Sequence, residues 1–78
     1  MTITIARTLD VKGMACPIPI VKTAQAMKLL GAGDLLEVLA TDPGSVKDFA
    51  AWSKATGNRI VETSQDGGVF RFVLQKKG

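Results

Sequence analysis

Length, composition and charge limit what this protein can be. The chain has 78 residues, of which 46% are hydrophobic and 22% are charged, and its net charge is +3. This predicts a single domain over residues 1–78, and the scattered lysines predict no direct nucleic-acid binding. One cysteine and no histidine exclude an internal disulfide, a Cys–His nucleophile pair and a Cys/His zinc site.

Composition also predicts the cellular compartment and the absence of a bound metal or cofactor. No apolar run reaches the ~18 residues of a membrane span, and the N-terminus lacks the long apolar segment of a secretory signal. A lone free thiol persists in a reducing compartment. We therefore expect a cytoplasmic protein that makes no membrane contact and holds neither metal nor cofactor.

The first half of the chain predicts a strand, a connector and a helix. Apolar residues alternate at Ile3, Ile5, Leu9 and Val11, which is typical of a strand with one buried face. After the connector KGMA, residues 17–30 have helical spacing and precede the helix-stopping sequence GAG. This half therefore predicts a β-α unit.

The second half predicts a strand, a helix and a hairpin. The sequence LLEVLA at 35–40 is almost wholly apolar, which predicts a central, covered strand. Asp42 is a favourable N-cap and Pro43 a favourable first residue for a helix that ends near Gly57. The sequence QDGG predicts a hairpin turn, because Asp-Gly tolerates positive φ. The strands joined by this turn are 59–64 and 69–75.

The predicted element order is β-α-β-α-β-β. Its simplest arrangement is an α/β (α+β) two-layer sandwich, a four-stranded mixed sheet with two helices packed on one face. Candidate core residues lie on one face of each helix and on alternate positions of the last strand, with Trp52 flanking the core face of the second helix. They are Ile20, Ala24 and Met27; Val46, Phe49, Ala50 and Ser53; and Phe70, Phe72 and Leu74.

The only cysteine, Cys16, stands directly before two prolines. Pro17 and Pro19 mark the start of the first helix, because proline fits the first turn, where its missing N–H costs little. Cys16 then lies at or beside the N-cap, where the helix dipole and a free amide such as that of Ile18 can act on its sulfur. This position predicts a pKa of the thiol below that of a free cysteine. The alternative is a small buried apolar side chain.

The stretch LDVKGMACPIP resembles the signature of the TusA/SirA family of small sulfur carriers. The resemblance continues through TDPGSVKDF and DGGVFRFVLQKK, and it implies the family's two-layer α/β sandwich. It also implies that Cys16 carries sulfur as a persulfide, supported by Pro17, Pro19, Gly13 and Asp10. The residues that match the signature are Leu9, Asp10, Gly13, Cys16, Pro17 and Pro19.

The same resemblance implies partners rather than independent catalysis. A cysteine desulfurase or a rhodanese-like protein would donate the sulfur, and a downstream protein would accept it. The protein would then be a sulfurtransferase-type carrier acting with partner enzymes. Carriers of this family serve tRNA thiolation, molybdenum-cofactor sulfuration and sulfur oxidation.

Two positions depart from the patterns of some family members. Ile18 stands where the bacterial tRNA-thiolation carrier has glutamate, and Ser53 stands where some members have a second cysteine. We expect Ile18 to be exposed, away from the core face of its helix, and to contact a partner together with Met14 and Lys22. Asp10 is expected to act through turn chemistry, and Gly13 to permit the turn before Cys16.

Two other functions stay open on the sequence alone. The family's sandwich resembles a ribosome-binding domain of a translation initiation factor, which suggests an RNA-binding or regulatory module by analogy of fold. The chain lacks the basic stripe and exposed aromatic platform that RNA binding favours. A single-thiol redox sensor needs an external resolving thiol and has the same sequence features as a carrier. Whether the protein is a sulfur carrier, an RNA-binding module or a redox sensor, we expect a monomer.

Overall fold

The computed structural model describes residues 4–15 and 17–77. The predicted element order is confirmed, whereas Ile3, the first residue of the predicted alternation, lies outside the described residues. Neither helix in the described part of the chain has the length and apolar character needed to cross a membrane. The elements are β1 (Ile5–Asp10), α1 (Ile18–Met27), β2 (Leu35–Ala40), α2 (Ser45–Thr56), β3 (Arg59–Asp66) and β4 (Val69–Gln75).

The strands of the described residues form one mixed sheet in the order β1-β2-β4-β3. β1 and β2 are parallel, and β4 is antiparallel to β2 and to β3. β2 is therefore an interior strand, as its apolar sequence predicted. The hairpin turns on Gly67 and Gly68, whose φ values are +55° and +88°, so the positive φ falls on these glycines and not on Asp66.

Helix α1 is shorter than predicted. It begins at Ile18, with Pro19 in its first turn, and ends at Met27 rather than at residue 30. Beyond Met27 the chain leaves the helix through tighter turns, since the Leu29 N–H donates to the Ala26 carbonyl at 3.1 Å and the Leu30 N–H donates to the Met27 carbonyl at 3.2 Å. The prolines marked the start of the helix well, whereas its end had no comparably local signal.

Helix α2 begins two residues later than predicted, at Ser45 with Gly44 as its N-cap. Asp42 closes a turn ahead of the helix instead of capping it. Its carboxylate accepts the Gly44 N–H at 3.2 Å and its carbonyl accepts the Ser45 N–H at 3.0 Å. The predicted end is confirmed, because Gly57 forms the C-cap with a φ of +80°.

The core lies between the sheet and the two helices, with Phe49 of α2 fully buried. The Phe49 ring centroid lies 4.6 Å from that of Phe72 and 6.2 Å from that of Trp52. Phe72 and Leu74 are buried and Phe70 packs against the core, as the alternation in β4 predicted. Trp52 also packs against this core, which confirms its predicted structural role.

The predicted core face of α2 is wrong by about one residue. Val46 is 50% exposed and Ala50 is exposed, whereas Ser45 is only 1% exposed. The physical reason is that β3, next to this side of α2, is an edge strand, so no further strand of the described sheet lies beyond it. The side of α2 that carries Val46 and Ala50 therefore borders an open groove of about 330 Å³ next to β3.

The core face of α1 is also rotated from the predicted one. Met27 is buried as predicted, but Ile20 and Ala24 are only half-buried, whereas Pro19 and Thr23 are buried. Thr23 is tolerated there because its hydroxyl donates to the Pro19 carbonyl at 2.7 Å, which satisfies its polar atom within the helix.

The sheet face away from the helices carries a cross-strand polar network. Arg71 of β4 donates from Nε to Glu37 of β2, and from a terminal nitrogen to Glu62 of β3 at 3.1 Å. The Thr8 hydroxyl of β1 also donates to Glu37, at 3.0 Å. Donation from Arg71, and next from Thr8, holds the pKa of the Glu37 carboxyl below its ordinary value. The network thus links all the strands of the described sheet on this face.

Candidate functional site

The candidate site lies where two connectors meet at one edge of the sheet. Because β1 and β2 are parallel, their carboxyl ends are at the same edge, and each leads through a short connector to a helix start. The ladder between these strands continues one residue past β1, since the Val11 N–H donates to the Leu39 carbonyl at 2.8 Å. The first connector, residues 11–17, carries the sequence that contains the only cysteine.

The first connector begins with a tight turn. The Met14 N–H donates to the Val11 carbonyl at 3.2 Å, and Gly13 has a φ of +80°, which suits the third position of a type II turn. The Asp10 carboxylate accepts the Lys12 N–H at 3.0 Å. The structure thus gives Asp10 the turn chemistry, and Gly13 the permissive backbone, that the sequence indicated.

A threonine on the second connector holds this turn. The Gly13 N–H donates to the Thr41 hydroxyl oxygen at 2.8 Å, across 28 residues of sequence. Sequence reasoning did not single out Thr41, because no local pattern marks a contact between two loops that meet only in the folded sheet. These connectors are neighbours because β1 and β2 pair in parallel, a pairing that the sequence analysis did not predict.

Cys16 lies outside the described residues, but its neighbours on both sides are described. The Ile18 N–H donates to the Ala15 carbonyl at 3.0 Å, and the Val21 N–H donates to the Pro17 carbonyl at 3.1 Å. The expectation that the Ile18 amide points at the sulfur is therefore wrong, because this amide is used within the backbone. The N-cap is Pro17, so the predicted effect on Cys16 depends on the helix dipole.

The residues expected to contact a partner differ in exposure. Ile18 is 47% exposed, as its position away from the core face predicted, and its neighbour Val21 is 49% exposed. Lys22 is exposed, whereas Met14 is half-buried and packs against the core. Ile18 and Val21 thus form an exposed apolar patch beside Pro17, and a partner contact for Met14 and Lys22 stays a prediction.

Comparison with known proteins decides the family. The family model described as Sulfurtransferase TusA matches residues 7–76, which is most of the chain. This chain belongs to the TusA family. The match extends from β1 to the residue after β4, so it includes both connectors of the site.

Relatives of the TusA family agree with this assignment over almost the whole chain. The sulfur carrier protein TusA of Allochromatium vinosum is 46% identical over 87% of this chain and 90% of its own length. The YrkI protein of Bacillus subtilis is 47% identical over 90% of this chain and 93% of its own length. The crystal structure of a SirA-like protein from Desulfitobacterium hafniense superimposes with a TM-score of 0.79 at 27% identity, covering 92% of this chain and 99% of that one. The two-layer fold predicted from the sequence is thereby confirmed.

The TusA-family site contains no cluster of metal-ligating side chains in its described part. No group of three or more histidine, cysteine, aspartate or glutamate residues is close enough together there to hold a metal ion. The charged pair nearest to the turn is Lys12 and Asp10, whose Nζ and Oδ2 atoms lie 3.8 Å apart.

The reactivity of Cys16 gives the first testable prediction for this TusA-family site. We expect alkylation by iodoacetamide to rise with pH around a midpoint below about 8.5, the ordinary value for cysteine. The reason is the positive end of the α1 dipole, whose N-cap directly follows Cys16 in the sequence. The rate is measured across pH at constant ionic strength, with Cys16→Ser as the blank. A midpoint at or above the ordinary value would show that the helix start does not favour the thiolate.

Proposed function

We propose that this protein holds sulfane sulfur as a persulfide on Cys16 and passes it from a donor protein to an acceptor protein. The sulfur-carrier role is that of its family, and Cys16 is the only thiol in the chain. The observation that carries the proposal is the match over residues 7–76, which includes the Cys-Pro-Ile-Pro sequence at the start of α1. The tight turn before Cys16 and the backbone bonds after it support a presenting role.

The proposed transfer is a pair of thiol–disulfide-type exchanges. The Cys16 thiolate attacks the outer sulfur of the donor's persulfide, the donor's S–S bond breaks, and the donor's inner sulfur leaves as a thiolate. In the second exchange an acceptor thiolate attacks the outer sulfur on Cys16, and Cys16 leaves as a thiolate. No electrons are gained or lost overall, so neither exchange needs an oxidant or a reductant. A thiolate stabilised by the helix start leaves faster in the second exchange.

The proposal includes the chemical class of the partners. A cysteine desulfurase or a rhodanese-like protein supplies the persulfide, and a downstream thiol protein receives the sulfur. The same chemistry serves tRNA thiolation, molybdenum-cofactor sulfuration or sulfur oxidation, because each needs a protein-bound sulfane sulfur. A reducing cytoplasm is the compartment that keeps a lone thiol free to cycle.

Intact-protein mass spectrometry tests this proposal. The protein is incubated with a cysteine desulfurase and cysteine, and its mass is compared with that of the same protein incubated without the desulfurase. A gain of one sulfur atom in the intact mass, assigned by digestion to the peptide containing Cys16 and removed by a thiol reductant, supports the carrier. A gain of one oxygen atom on Cys16 itself, removed by a thiol reductant and without a gain of sulfur, indicates a redox sensor and contradicts the proposal.

Ile18 gives a prediction about partner choice. We expect Ile18→Glu to change the free energy of unfolding by less than about 0.5 kcal/mol, because Ile18 is 47% exposed and is not part of the core cluster. We also expect it to slow transfer to a partner that covers this patch, because burying an isoleucine stabilises a contact by roughly 1.5–3 kcal/mol. Thermal unfolding and transfer rates to each candidate partner are measured.

Val61→Glu is the matched control for the Ile18 experiment. Val61 is 43% exposed, close to the 47% of Ile18, but it lies on the edge strand β3 near the opposite end of the sheet. The control should leave both stability and transfer unchanged. A large loss of stability in Ile18→Glu would mean that Ile18 belongs to the core. Unchanged transfer to every partner would mean that its exposure has no role in recognition.

A further inference from the structure

We infer that Thr41 is a positioning residue for the sulfur-carrying loop. The inference rests on the proposed function of Cys16. Its direct support is the hydrogen bond in which the Gly13 N–H donates to the Thr41 hydroxyl oxygen at 2.8 Å. Gly13 lies three residues before Cys16 in the chain, within the turn that starts the loop. Thr41 thus acts on the loop from a separate connector.

The backbone next to Thr41 is held on both sides within its own connector. Ala40 before it is fully buried and pairs with Phe70 in the interior of the sheet. After it, Asp42 closes the turn that leads into α2, through bonds from the Gly44 and Ser45 amides. A side chain with fixed backbone on both sides can serve as a reference point for a neighbouring loop.

The acceptor of this bond lies next to held backbone, and the donor Gly13 lies in a turn whose backbone the bond restrains further. Gly13 has a φ of +80°, which glycine adopts readily but does not require. A Cβ at Gly13 would meet nothing within 4 Å, so side-chain packing does not confine the turn there. The turn itself is closed by the bond from the Met14 amide to the Val11 carbonyl, and the bond to Thr41 is the specific restraint that ties Gly13 to the β2 connector.

The consequence for sulfur transfer follows from geometry. Both exchanges require the attacking and leaving sulfur atoms to be brought into line within a docked complex, and small losses of positioning slow such reactions. A loop freed at Gly13 samples more orientations and presents Cys16 correctly less often. Removing one hydrogen bond should therefore slow loading by roughly 2- to 10-fold, the change that the net contribution of a single bond supports.

The test compares wild type with Thr41→Val, Thr41→Ser and a control, Thr63→Val. Valine keeps the shape of threonine and removes the hydroxyl acceptor, whereas serine keeps the hydroxyl. Thr63 is an exposed threonine on the edge strand β3, remote from the two connectors. Sulfur loading from a desulfurase is measured in a time course, and exchange of the Gly13 amide hydrogen is followed by NMR.

We expect Thr41→Val to load more slowly and to exchange the Gly13 amide faster, while the Val11 amide stays protected by its bond within the sheet. Thr41→Ser and Thr63→Val should behave like wild type. The inference is overturned if folded Thr41→Val loads within about twofold of wild type. It is also overturned if the wild-type Gly13 amide is unprotected, a measurement that stands even where Thr41→Val does not fold. Failure of wild type to load would instead overturn the proposed function.

Discussion

Cys16→Ser is expected to lose essentially all sulfur loading while keeping its fold. The reason is that Cys16 is the only thiol in the chain, and a serine hydroxyl does not form a persulfide. The variant and wild type are incubated with a cysteine desulfurase and sulfur-labelled cysteine. Label that resists gel filtration and is released by a thiol reductant is then counted. Wild type should reach a stoichiometry limited by one site, and the variant should stay at background.

Controls separate loss of the thiol from loss of the fold in this experiment. Wild type alkylated at Cys16 before loading should match the variant, since it has the natural sequence but a blocked sulfur. Far-ultraviolet circular dichroism and urea unfolding should be nearly the same for the variant and wild type. Labelling of Cys16→Ser to the wild-type level would contradict the carrier hypothesis, because the sulfur would then be held elsewhere.

Much of the fold was predictable because local signals agreed with one another. The apolar run of β2 indicated an interior strand, the prolines marked the start of α1, and Gly57 marked the end of α2. Each of these signals acts within a few residues, where backbone preferences and burial dominate. The edge-strand character of β3 was not visible, because strand order depends on which partners are already paired.

The errors have a common physical cause, which is that local preferences were overridden by neighbouring structure. Asp42 is a favourable N-cap by composition, yet its carboxylate is used in a turn that delays α2 to Ser45. Within α2, Val46 borders the open groove and Ser45 is in the interior, so the buried face is rotated from the predicted one. A shift of one residue on a helix rotates a face by about 100°, which suffices to exchange core and surface.

At the candidate site, too, contacts within a few residues were predictable from the sequence and contacts between distant segments were not. The sequence indicated Gly13, Asp10 and the prolines, because turn and helix-start chemistry is local. It wrongly indicated the Ile18 amide as free, because the bond to the Ala15 carbonyl depends on how the loop enters the helix. It gave no sign of Thr41, whose role needs the parallel pairing of β1 with β2.

Phe49→Ala is expected to give the largest loss of stability among single substitutions considered for this protein. Phe49 is fully buried between α2 and the sheet, where its ring contacts those of Phe72 and Trp52. Truncation of such a ring costs about 3–5 kcal/mol, because apolar contacts are lost and a cavity remains. A chain of 78 residues has a total stability of only about 4–12 kcal/mol, so the loss ranges from about a quarter of that stability to all of it.

Val46→Ala is the matched control on the same helix for this last prediction. Val46 is 50% exposed, so its truncation should change the free energy of unfolding by no more than about 0.5 kcal/mol, and alanine's higher helix propensity offsets part of any loss. Urea unfolding of both variants and wild type gives the midpoint and the slope that together define stability. If Phe49→Ala lost less than about 1 kcal/mol, or Val46→Ala lost as much as Phe49→Ala, the packing of α2 on the sheet described above would be wrong. The contrast tests the one-residue shift directly, because the sequence pattern placed both side chains on the same buried face, whereas the structure buries only Phe49.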